Sequence, residues 1–180
     1  MTTECSSTEG RRILDFYSGR GRDDRGRTLL DILGWTDTRL EEVHDYIQWL
    51  FPLRERSGAN PDAPVLDEET IAQFRTDPSL KATLHRSFLR MLAFYGLETG
   101  QDGVARAASF EGKSHNWLRP GNHNHLRLTR MLRSLSVLGL EEDALSLLSC
   151  LRSIYEAEAT TRRSRITPQT FHFWTEAVEK

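Results

Sequence analysis

The chain has 180 residues, 24 Lys plus Arg against 26 Asp plus Glu and 38% hydrophobic content, which predicts one soluble globular domain able to bury roughly 70% of its unfolded surface. Cys5 and Cys150 form no CxxC or CxxH pair, which argues against a zinc ribbon, an iron–sulfur motif and a disulfide framework. No window reaches the roughly 18 to 20 consecutive apolar residues of a membrane span, and the N-terminus has no apolar core for a signal peptide, so a cytoplasmic protein is expected.

In chain order, apolar residues recur at steps of three and four with no convincing strand alternation, so the expected fold is all-α: a compact single-domain bundle of about six to eight helices. Residues 1–12 read as a disordered tail and 13–180 as the domain. A short helix is expected over 28–33, capped by Thr28 and stopped by Gly34. A longer one is expected over 38–51: Thr38 and Glu41 have capping-box spacing, Leu40, Val43, Ile47 and Leu50 form the stripe, and Pro52 ends it. Asp67 caps a helix bearing Ile71 and Phe74, and Pro78 opens another whose Leu84, Phe88, Met91, Leu92 and Tyr95 run to Gly96. Residues 97–121 read as a long polar loop with one possible helical turn near 104–110. Helices then follow from 122 to Gly139, over 141–160, and from the Thr167-Pro168 cap through Phe171, Trp174 and Val178.

Charge is unevenly distributed. Residues 31–77 hold 11 acids and 4 bases, whereas 106–133 hold 6 bases and 1 acid with His115, His123 and His125 in addition. The two segments either balance each other within the fold or leave the basic one as an anion-binding surface. Arginine supplies 21 of the 24 cations, through genome composition or selection for guanidinium chemistry.

Two stretches carry the chemistry. On the helix expected over 38–51, Glu41, His44, Asp45 and Gln48 would share a polar face beside Trp49. Glu41 and His44 make one Glu-x-x-His pair, but no second copy exists to complete a bundle-type metal site, so no metal or other cofactor is expected and a solvated acidic face is the plainer reading. In 114–141, His123, Arg127 and Arg130 fall at i, i+4 and i+7, and Asn122 or Asn124 would cap a helix whose free N–H groups favour an anion. The same asparagines and histidines could equally satisfy the preceding loop, which holds Asn116 and Trp117.

FYSGRGRDDRGRTLLDILGW, LEEVHDYIQWLFPLRERSGANPDAPVL, SFLRMLAFYGL and NWLRPGNHNHLRLTRMLRSLSVLGLE resemble, in order and spacing, the conserved N-terminal region of the opioid growth factor receptor family, most strongly over 13–155. The resemblance implies an all-helical domain. In animals it implies a receptor without a transmembrane helix, associated with nuclear and perinuclear membranes, that binds the peptide Met-enkephalin and restrains proliferation. It carries no catalytic residues, and it marks 44–52 and 116–130 as the functional surface. Ending at Lys180 without a long repeat-bearing tail, and rich in arginine, the chain is expected to be a stand-alone microbial member.

The expected function is a ligand- or peptide-binding regulatory module. A peptide or anionic small molecule would lie between the HDYIQWLFP and HNHLRLTR helices, against Tyr46, Trp49 and Phe51 and near Arg127 or Arg130. Glu41, His44, Asp45, Gln48, Asn116, Trp117, His123, Asn124 and His125 complete the candidate set. A small enzyme using His44, His123 or His125 in acid–base chemistry is the alternative, and nucleic-acid binding through 106–133 is a weaker one for a slightly acidic chain.

Overall fold

Ser7 accepts a hydrogen bond from Gly10 N at 3.1 Å and so caps helix α1 (Thr8–Tyr17), which starts within the stretch expected to be a tail. The computed structural model describes residues 7–161 and 164–179; Cys5 lies outside them. The described residues form ten helices and one hairpin, a mostly helical fold as the periodicity predicts. They divide into two compact units, Met1–Ser87 with Val137–Gly139, and Phe88–Ser136 with Leu140–Lys180.

In the first unit, α1 buries Ile13, Phe16 and Tyr17. It approaches α5 (Glu68–Thr76) so closely that a Cβ on Gly10 would stand 2.1 Å from Thr70 Oγ1, and only glycine leaves room there. Asp67 caps α5 through Thr70 N at 2.7 Å and also accepts from Ser7 N at 2.8 Å, joining two helix starts. Helix α2 (Leu29–Leu33) carries a full capping box between Thr28 and Asp31.

The single helix expected over 38–51 is instead two, α3 (Asp37–Glu42) and α4 (Ile47–Leu50), and the cap of α3 is Thr36, not Thr38. Long-range bonds cause the break. Val43 turns extended (φ −93°, ψ 134°), Tyr46 folds back to donate its hydroxyl to Leu40 O at 3.1 Å, and Asp45 is taken by arginines from 25–27. Tyr46, Trp49, Leu50 and Phe51 pack into the core with Phe16 and Phe74. Helix α6 (Pro78–Tyr95) follows, and the division between the units falls within it.

In the second unit the expected 97–121 loop is largely ordered structure. Strands β1 (Leu97–Gly100) and β2 (Gly103–Arg106) pair antiparallel, with Leu97 opposite Arg106 and Gly100 opposite Gly103. Helix α7 (Phe110–Ser114) comes next. Gly103 sits at φ +105° with Ser146 Oγ 2.3 Å from where its Cβ would be, and that hydroxyl accepts from Val104 N at 2.7 Å. Helices α8 (His123–Val137), α9 (Glu141–Ala159) and α10 (Pro168–Glu179) complete the unit. Thr167 caps α10 through Thr170 N as its sequence predicts. The core is made by Tyr95, Trp117, Leu128, Met131, Leu132, Leu135, Leu147, Leu151, Ile154 and Trp174. No helix among the described residues is long and apolar enough to cross a membrane.

Candidate functional site

The candidate residues before and after α6 fall in different units, each with its own environment. In the first, the break at 43–46 dissolves the common face of Glu41, His44, Asp45 and Gln48. His44 is exposed, Glu41 and Asp45 are half-buried, and Gln48 is buried with Nε2 donating to Ser57 Oγ at 3.3 Å and Oε1 unbonded. Asp45 has become the anchor of the 22–28 loop: Arg27 donates to it at 2.8 Å and Arg25 at 3.0 Å. Burial works against its charge, but the two guanidiniums outweigh burial and hold the carboxyl below its ordinary value. Arg27 reaches back to the buried Asp23 at 2.5 Å, and Asp23 also accepts from the backbone N–H groups of Arg25 and Arg27.

Trp49, Tyr46 and Phe51 are 1%, 0% and 0% exposed, so they form core and not the walls of an open pocket. Trp49 Nε1 donates to Asp24 at 3.0 Å, while Arg12 lies over its ring at 5.1 Å and pairs with Asp24. Among the described residues no three His, Cys, Asp or Glu side chains gather as metal ligands. Burial also pushes the Cys150 thiol up, away from the reactive thiolate.

In the second unit the candidate residues do come together. Asn122 organises the start of α8: its Oδ1 accepts from Asn124 N at 2.8 Å, and its Nδ2 donates to Asn116 O at 3.0 Å. Asn124 is fully buried and its Oδ1 accepts from Arg127 at 3.1 Å, so Arg127 is drawn inward at 5% exposure, away from the stripe expected with His123 and Arg130. His123 and Arg130 remain half-buried.

His125 is the distinctive group. It is 5% exposed, and its ring stands edge-to-face between Trp117 (6.5 Å) and Trp174 (5.6 Å). Its carbonyl accepts from Trp174 Nε1 at 3.1 Å and from Thr129 Oγ1 at 3.0 Å, and Trp117 Nε1 donates to Tyr95 O at 3.0 Å. The ring nitrogens are less well served. The Trp117 backbone lies near enough to favour the protonated form, but neither nitrogen completes a hydrogen bond of normal geometry. Burial dominates, with His123 acting in the same direction, and the ring is held neutral to a lower pH than an ordinary histidine. Trp174 was absent from the sequence-derived set because it lies 49 positions from His125 and only packing joins them.

The family model described as "Opioid growth factor receptor (OGFr) conserved region" matches residues 13–180. The opioid growth factor receptor of Rattus norvegicus is 43% identical over 122 residues, 64% of this chain and 21% of that protein. That of Homo sapiens is 41% identical over 135 residues, 71% of this chain and 20% of its own length. Opioid growth factor receptor-like protein 1 of Mus musculus is 39% identical over 107 residues, covering 57% and 22%. The chain thus spans about one fifth of the curated relatives it matches. No solved structure matches it.

Proposed function

The chain belongs to the family of the opioid growth factor receptor conserved region, and on that premise we propose that it is a ligand-binding regulatory module whose binding surface is the 116–130 segment. The ligand is a short peptide or small molecule with an anionic group directed at the start of α8. The observation that carries the reading is His125, a buried ring in the first turn of that helix whose nitrogens complete no hydrogen bond of normal geometry. An unbonded buried polar group costs about 1 to 3 kcal/mol, and a ligand that reaches it recovers this. The positive end of the α8 dipole favours negative charge at the same place. Trp117 and Trp174, both buried, hold the His125 ring edge-to-face from either side, while Asn124 and Arg127, already bonded to each other, hold the polar edge in place.

Isothermal calorimetry of the 180-residue chain with Met-enkephalin, and separately with acetate and inorganic phosphate, tests the proposal. Saturable binding of the peptide is expected, with loss of at least tenfold in affinity, about 1.4 kcal/mol, for His125→Phe. The aromatic replacement keeps the packing between the two tryptophans and removes the poorly bonded nitrogens, so loss of affinity with a melting temperature that does not fall separates site from scaffold. Binding unchanged in His125→Phe, or no saturable heat with any of the three probes, would defeat the assignment.

A further inference from the structure

Leu126, Thr129, Arg130 and Arg133 follow at steps of three and four along α8 and share one face, as Phe173, Glu176 and Ala177 do on α10. A half-open groove of about 120 Å³ lies between the helices, lined by Thr129, Arg133, Phe173, Glu176 and Ala177. The packing is fixed from beneath by the His125 carbonyl, which takes Thr129 Oγ1 from its own helix and Trp174 Nε1 from α10. Two large apolar side chains stand out at this face, Leu126 at 70% exposure and Phe173 at 43%.

The groove is of mixed sign, with a cation on the α8 wall and an anion on the α10 wall. A ligand carrying one charge gains on one wall and loses on the other. A surface presenting the same pair in reverse order complements both walls, and a second copy turned about a two-fold axis offers that surface. We propose that this groove is the contact between two copies of the chain. Phe173 of each copy enters the groove of the other beside Leu126, and Arg133 faces Glu176 across the axis. Both charged residues already have interactions within their own chain, Glu176 with His172 at 3.7 Å among them, so the cross pairs exchange partners and set register. The driving force is the covering of Leu126 and Phe173, a small apolar area that fits weak, reversible association.

Sedimentation equilibrium of the 180-residue chain from about 1 to 200 µM reads this directly. The expected result is a monomer at the low end and a dimer at the high end. Phe173→Glu and Leu126→Arg, both at exposed positions, should remain monomeric throughout with unchanged helical circular dichroism. Arg133→Glu and Glu176→Arg should each weaken association about tenfold or more with helical circular dichroism unchanged, and the double variant should regain most of it. A wild-type chain that stays monomeric to the top of the range, a dimer insensitive to all four substitutions, or a charge-swapped double variant no better than its parents would overturn the proposal.

Discussion

Replacing Trp174 with alanine should cost the second unit about 4 to 5 kcal/mol. The indole is fully buried, and truncating a buried tryptophan costs about 3 to 5 kcal/mol in lost transfer energy and residual cavity. The substitution also removes the Nε1 hydrogen bond to His125 O, but Thr129 Oγ1 still serves that carbonyl, so this adds only about 0.5 to 1 kcal/mol. At about 2 to 4 °C per kcal/mol for a chain of this size, the melting temperature should fall by at least about 8 °C. Trp174→Phe keeps most of the packing while losing the donor, and should cost roughly 1 to 2 kcal/mol. Urea denaturation followed by circular dichroism at 222 nm, a wavelength chosen for helix, measures both. With two compact units the curve can resolve into two steps, and the loss should then appear in one of them. A loss below about 1 kcal/mol for Trp174→Ala would refute the packing of α10 on His125.

Three further outcomes follow from the same structure. Because burial lowers the folded-state value of His125, the unfolded chain takes up a proton more readily; this histidine's contribution should leave stability highest above the ordinary value of 6.5 and lower it as pH falls below that, a slope that His125→Phe should flatten in melting curves taken from about pH 8 to pH 5. Arg27→Ala leaves the buried Asp23 carboxylate without its guanidinium and releases one partner of Asp45, so it should cost about 3 kcal/mol or more in urea denaturation, with proteolysis beginning in 22–28. Gly103→Ala forces a Cβ onto Ser146 Oγ at a positive φ and should cost about 1 to 3 kcal/mol, whereas the same change at the exposed Gly112, where no atom lies within 4 Å, should cost little.

Where the determinants of structure are local, the chain declares them. The Thr28, Asp67 and Thr167 caps all accept the backbone bonds that their spacing implies, and Leu128, Met131, Leu132 and Leu135 of α8, spaced at three and four, are buried. Where the determinants are distant, it does not. The gap between α3 and α4 depends on Arg25 and Arg27 capturing Asp45 across some 20 positions, and the hairpin depends on Ser146 receiving Val104 N across 42. Helix α1 was hidden in a polar N-terminus because what orders its first turn is Asp67, 60 residues away from Ser7. The same division runs through the candidate site. The clustering of Asn116, Trp117, Asn122, Asn124 and Arg127 at the start of α8 was legible because the residues are near neighbours, whereas the inward turn of Arg127 and the second tryptophan beside His125 come from tertiary packing. Trp49 shows the reverse error: an aromatic beside charged residues suggests a ligand wall, but its ring completes the core and its indole N–H is already bonded to Asp24.

The central claim is that ligand engages the start of α8 through His125. Nuclear magnetic resonance of the isotopically labelled chain, titrated with Met-enkephalin, tests it most directly, because the imidazole and backbone signals report the site residue by residue. Saturable shifts should concentrate in 116–130 and include the His125 ring and the Trp117 and Trp174 indole N–H signals, and in His125→Phe saturation should need at least about tenfold more peptide. Saturable shifts that leave 116–130 untouched, or that saturate at the same peptide concentration in that variant, would contradict it.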